Sequence, residues 1–251
     1  MCIDQATRRM HRFATLIFIL STTAAATGAT LPIYCDFDAD TPGNPPLTGG
    51  DHQPVQVVAP NDGTLTVETS ANGIDAQPCV LDILSAGDLA WLRFAFDPVT
   101  AGSVRVAATA SFSHLVDGFF LQAGTASDFV AARLLMTSSG EIRDYHGTTV
   151  GTYAADTPFG VRLDIDMIAK TYSVQIDDEM DGFADDPPTE ALPFVNDPSI
   201  INDIGSAYAS LNVYGGNPSG TALAYDDIVI RTVDPTPLDF ETWGGVKRLY
   251  R

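Results

Sequence analysis

Residues 159–178, FGVRLDIDMIAKTYSVQIDD, decide the fold. Val161, Leu163, Ile165 and Met167 alternate with Arg162, Asp164 and Asp166. After a turn at 168–170, Tyr172, Val174 and Ile176 alternate with Ser173, Gln175 and Asp177. Successive side chains of a strand point to opposite faces, so an apolar period of two marks a strand with one face buried and the other in water. Two such runs around a short turn predict an antiparallel hairpin on a half-solvated sheet.

Runs of the same kind recur along the chain, with Gly, Pro, Asn and Asp between them. The strands expected are 55–59, 64–68, 79–84, 90–96, 104–112, 118–123, 129–136, 141–145, 161–167, 171–177, 207–214 and 222–231. No stretch carries a sustained helical period with caps. This spacing predicts an all-β protein, and about twelve strands exceed an immunoglobulin-type domain and suit a two-sheet antiparallel jelly-roll sandwich.

The ends read differently. Arg8, Arg9 and Arg12 precede the apolar run FATLIFIL, and a small-residue stretch then offers cleavage after Ala26 or Ala29. Residues 1–29 are therefore expected to be a signal peptide, since the run is too short to span a bilayer. No later segment is apolar for long enough to be a membrane helix. The expected location is secreted, extracellular or in the cell envelope, without membrane insertion. Residues 30–231 are assigned to the sandwich. Residues 232–251 begin with a Pro-containing linker, TVDPTPLD, and end in a basic aromatic tail, FETWGGVKRLYR.

The chain carries a formal charge of −19 over its 251 residues, and cleavage would leave it more acidic still. Such a surface repels nucleic acid and anionic lipid, and it supplies carboxylates for divalent cations. Of three cysteines, Cys2 lies in the leader. Cys35 and Cys79 would remain in an oxidising compartment, where a disulfide is expected. Closing a loop of that length would stabilise the fold by about 4 kcal/mol in the chain-entropy picture.

Several segments together resemble the concanavalin A-like lectin/glucanase superfamily in its laminin-G-like bacterial form. They are YCDFDADTPGNPP (34–46), SVRVAATASF (103–112), DGFFLQAG (117–124), GEIRDY (140–145), VRLDIDMIAKTYSVQID (161–177) and ALAYDDIVIR (222–231). The likeness is one of strands, not of catalytic residues, and Pro158-Phe159 stands where the family often has a Trp. It implies two antiparallel sheets, first and last strands side by side, and a concave face of the kind that often binds glycans.

Candidate sites come from the polar residues. In DDEMDGFADD (177–186), Asp177, Glu179, Asp181 and Asp185 offer hard oxygen ligands around Gly182, the pattern of a calcium loop. Pro188 stands where an EF-hand needs Glu, so the loop resembles shorter extracellular Asp-Gly loops. A second acidic group, Asp36 and Asp38 with Asp226 and Asp227, would form if the end strands pair as the resemblance implies. Asp164 and Asp166 are displayed like paired carboxylates of a glucanase, yet the Glu-x-Asp-x-Glu run of those enzymes is absent. With Arg162 and Gln175 they are read instead as a glycan-contacting face. His52, His114 and His146 are placed in surface turns. Trp91 is assigned to the core rather than to a sugar platform, on the face it shares with Arg93 and Ala95 opposite Leu92, Phe94 and Phe96. No catalytic constellation emerges. The function expected is a secreted, non-catalytic module binding a glycan or cell-surface polysaccharide. The alternatives are a diverged glycoside hydrolase or polysaccharide lyase, or a structural or adhesive envelope protein.

Overall fold

A computed structural model describes residues 28–85, 87–214 and 220–233. Residues 1–27 of the expected signal peptide, and the tail from 234 onward, lie outside the described residues. The chain is an all-β, two-sheet antiparallel sandwich of jelly-roll type. In chain order its strands are β1 (Ile33–Cys35), β2 (Gln56–Val58), β3 (Gly63–Val67), β4 (Cys79–Ile83), β5 (Leu89–Val99), β6 (Ser103–Phe112), β7 (Gly118–Gly124) and β8 (Val130–Met136). Then come β9 (Glu141–Asp144), β10 (Thr149–Thr152), β11 (Phe159–Asp166), β12 (Thr171–Asp177), β13 (Leu192–Pro193), β14 (Ile204–Val213) and β15 (Thr221–Val233).

The eight-stranded sheet runs β13-β12-β11-β6-β15-β4-β3, with β1 also on β15. The seven-stranded sheet runs β10-β9-β8-β7-β14-β5-β2. The expected hairpin is β11–β12, with Asp166 opposite Thr171 and Gly160 opposite Asp177. Its turn is capped by Asp166, whose Oδ1 accepts from the amides of Ile168 (2.7 Å) and Ala169 (2.9 Å). First and last strands lie side by side, Cys35 opposite Ile228.

The apolar positions of the alternating runs meet between the sheets. Val161, Leu163 and Ile165 of β11 and Val104 and Val106 of β6 face Leu92, Phe94 and Phe96 of β5, all inside one buried cluster. Burying each such side chain is worth roughly 1.5–3 kcal/mol. At one end Phe112, Phe120, Tyr153 and Phe159 pack edge and face, with Phe112 and Phe120 rings 5.4 Å apart at 80°. Aromatic pairs favour such tilted geometry.

An irregularity of register shapes the seven-stranded sheet. The register of β7 shifts between Phe119 and Leu121 against β8, and that of β14 shifts between Ala209 and Asn212 against β7. Phe120 and Leu121 are consequently both buried, while Phe119 and Gln122 both reach the outer face. Tyr225 of β15 fills in across the core: its hydroxyl is directed at the carbonyls of Phe120 and, at 3.1 Å, Ser210. Ser210 Oγ donates to the Phe120 carbonyl at 3.1 Å.

Cys35 and Cys79 are buried free thiols, so the expected disulfide finds no support in the structure. They meet along β15, where Cys35 is opposite Ile228 and Cys79 opposite Tyr225. Burial pushes the Cys35 thiol up to about 12 and the Cys79 thiol well above its ordinary value.

Candidate functional site

The face anticipated from the hairpin is on the outer side of the eight-stranded sheet, and the structure occupies its groups with one another. Arg105 lies between β11 and β15, opposite Asp164 on one side and Arg231 on the other. It grips Asp164 through Nε (2.6 Å) and a terminal nitrogen (3.0 Å), and Arg162 Nε approaches the same carboxylate at 3.4 Å. Asp166 holds the turn. Gln175 is only 5% exposed, covered by the loop after β12, with its Nε2 donating to the Phe183 carbonyl at 3.0 Å and also to that of Asp186. Arg162 stacks over the Phe183 ring at 5.1 Å. What remains open is a hollow of about 260 Å³ lined by Ser103, Asp164, Asp166, Thr171, Tyr172, Ser173 and Ala191. Arg105, the organiser of this face, sits in SVRVAATASF, where the strand period puts it on the outer side but nothing shows its partner.

The acidic loop folds back over β12. Asp177 is buried and its carboxylate accepts from the amides of Asp181 (3.1 Å), Gly182 (2.8 Å) and Phe183 (3.0 Å). Gly160, opposite Asp177, leaves the space: a Cβ there would come within 2.9 Å of the Phe183 ring. Carboxylate oxygens of Asp177, Asp181 and Asp186 lie within 4.8 Å of one another. Two of the expected ligands, Asp177 and Asp181, are therefore brought together. Glu179 and Asp185 are exposed outside this group, and Asp186 stands in their place. Burial, then the negative charges of Asp178, Asp177, Asp181 and Glu179, raise the Asp186 carboxyl above its ordinary value. Beside Asp177 on the same strand face, Gln175 keeps its Oε1 buried without a hydrogen-bond partner. Among the described residues, Asp36, Asp38, Asp226 and Asp227 form no comparable group of three.

The outer face of the seven-stranded sheet is chemically richer. Arg93 (β5) pairs with Tyr208 (β14), Tyr208 with Gln122 (β7) and Gln122 with Arg133 (β8), so four strands place these side chains in one row. Arg93 Nε donates to the Tyr208 hydroxyl at 2.9 Å, the Tyr208 hydroxyl donates to Asp128 at 2.5 Å, and Arg93 is paired with the same carboxylate at 3.1 Å. Burial, then the Asp128 hydrogen bond, pushes the Tyr208 hydroxyl up to about 12, so it stays protonated. Arg133 Nε donates to Gln122 Oε1 at 3.0 Å. Its guanidinium lies 4.8 Å over the Phe119 ring and 5.9 Å from that of Tyr145.

Trp91 stands one step along, opposite Ser210 and Val58, and is partly exposed on this outer face. That corrects its assignment to the core: the buried face of β5 is the one bearing Leu92, Phe94 and Phe96. His52, His114 and His146 are exposed, His146 edge-on to Tyr145 at 5.7 Å.

No family model and no curated protein matches the sequence. Among solved structures, a sialidase chain overlays 82% of this chain at 11% identity with a TM-score of 0.61. The overlay takes in 19% of the sialidase, so this chain spans about a fifth of that protein's length. Arcelin-5, a lectin-like defence protein from Phaseolus vulgaris, overlays more loosely: 82% of this chain, all of arcelin-5, 8% identity and a TM-score of 0.48. A Trypanosoma rangeli sialidase solved with sialic acid covers 72% of this chain and 30% of its own, at 14% identity and 0.43. The sialidase overlay at 0.61 is a likeness of fold, the two-sheet β-sandwich.

Proposed function

We propose that the protein is a non-catalytic glycan-binding module of concanavalin A-like type, acting outside the cytoplasm, with the outer face of its seven-stranded sheet as the binding surface. The single observation that carries this reading is the row Arg93–Tyr208–Gln122–Arg133 across four adjacent strands. Sugars offer hydroxyls that alternately donate and accept, and flat patches of C–H. A row of guanidinium, phenol and amide groups beside Trp91 and Phe119 matches both, on strands that hold their spacing rigidly. The leader-like residues 1–29 support export, and residues 30–231 support one sandwich domain.

The acidic loop fits a calcium ion. Asp177, Asp181 and Asp186 supply hard oxygen donors, and Gln175 Oε1, buried and unpartnered beneath the same loop, is the orphan acceptor that a cation would satisfy. Bound there, calcium would pin the loop to β12 and support the fold.

The test is affinity electrophoresis of the purified protein against a panel of neutral and charged polysaccharides, repeated with Tyr208→Phe and Gln122→Ala. Retardation by at least one glycan that weakens in both variants is the expected result. No retardation by any glycan overturns the reading and turns attention to an adhesive, structural role.

A further inference from the structure

Three arginines rise from the outer face of the seven-stranded sheet, and they are not equivalent. Arg93 is neutralised by Asp128 at 3.1 Å and Arg143 by Glu141 at 2.5 Å. Arg133 has no carboxylate partner among the described residues, in a chain where Asp and Glu outnumber Lys and Arg by 32 to 13.

Arg133 is oriented by an amide and by aromatic rings. Its Nε is used on Gln122, which fixes the plane of the guanidinium and leaves the two terminal nitrogens as a fork. Phe119 and Tyr145 wall it by their ring faces. Tyr214 completes the surround, near enough for the Arg133 charge to act on its hydroxyl. Rings strip water from a guanidinium and leave its edge as the reactive side. A guanidinium edge fits a carboxylate through two parallel hydrogen bonds. The aromatic walls suit the C–H faces of a sugar ring that carries the carboxylate.

We propose, resting on the glycan-binding reading, that Arg133 is the anchor for the carboxylate of an acidic sugar, so that the ligand is a uronate-bearing polysaccharide rather than a neutral one. Selection is by local fit, because the net charge of the chain opposes long-range attraction of a polyanion.

Titration calorimetry of the full protein with polygalacturonate, the same polymer after reduction of its carboxyls, and a sulfated neutral glucan tests this. Polygalacturonate is expected to bind, and the reduced polymer at least about tenfold more weakly, the loss of one charge-assisted pair. Arg133→Gln should erase that difference, and Arg133→Lys, which keeps the charge and loses the fork, should restore only part of it. Tyr145→Ala removes an exposed wall without touching the core, and should weaken polygalacturonate binding with an unchanged melting temperature. Equal binding of the native and carboxyl-reduced polymers overturns the inference and leaves the glycan reading standing. Undiminished polygalacturonate binding by Arg133→Gln, or preference for the sulfated glucan, also overturns it. Absence of binding to all three polymers and to every glycan of the wider panel overturns both.

Discussion

Arg105 and Asp164 stand opposite each other on β6 and β11 and are joined by two hydrogen bonds, 2.6 and 3.0 Å long, at the centre of the outer face of the eight-stranded sheet. Both side chains are mostly covered, at 12% and 25% exposure. The pair therefore keeps more of its strength than a surface ion pair does. Asp164→Asn should lower stability by about 1–2 kcal/mol, seen as a lower urea midpoint at unchanged slope. It should leave glycan binding on the other sheet unaltered. A loss of binding with intact stability would return Asp164 to the glycan-contacting role that its sequence position suggests.

Tyr225 reaches from β15 to the carbonyls of Phe120 and Ser210 in the opposite sheet, where the strand registers slip. Tyr225→Phe removes the donor and leaves buried acceptors poorly satisfied, at a cost of about 1–3 kcal/mol. Phe119 owes its outward position to the same irregularity, so the variant should also loosen the wall beside Arg133. Thermal unfolding checks the first effect and polygalacturonate titration the second.

Cys35 and Cys79 should be silent toward a thiol reagent in the native protein. Burial raises the Cys35 thiol to about 12 and the Cys79 thiol well beyond its ordinary value, so thiolate is scarce at neutral pH. Unfolding in guanidinium should release both within the dead time of the assay. Failure to titrate either thiol in denaturant would show that the pair oxidises after all.

Calcium should raise the melting temperature, and more at pH 7 than at pH 4. The Asp186 carboxyl is raised in the folded state by burial and by its acidic neighbours. Its contribution to stability is therefore complete below the ordinary carboxylate value of about 3.9 and is lost as pH climbs through the higher folded value. At neutral pH the gathered carboxylates repel one another, which a cation would offset, and at pH 4 protons compete for the same oxygens. Asp181→Asn combined with Asp186→Asn should abolish the calcium shift. A calcium-independent melting temperature in the unsubstituted protein would remove the ion from the loop.

The strand period made most of the architecture readable. Val161, Leu163 and Ile165 announce β11 because they are both apolar and alternate, and β5 and β6 announce themselves likewise. Thr149–Thr152 and Leu192–Pro193 do not, since one is polar nearly throughout and the other two residues long; pairing with neighbours alone makes them strands. Ile33–Cys35 came only from the resemblance of the opening segment. The outer-face row was hidden for a different reason: Arg93 and Tyr208 are 115 residues apart, and only the register unites them. A usable signal did exist in AWLRFAF, where the alternation puts Trp91 and Arg93 on the side away from the three core residues. In the acidic loop the residue type and spacing were legible, whereas the choice of Asp186 over Asp185 depends on how the chain folds back.

β15 is the seam of the eight-stranded sheet: β1 and β4 lie on one side of it and β6 on the other. Until residues 221–233 are present, the β3–β4 pair and the β6–β11–β12 group have no shared edge. A ribosome delivering this domain from its N-terminal end thus produces two unjoined pieces, and closure waits for the final strand. A chain that stops short of residue 221 therefore lacks the strand that joins the two halves of this sheet.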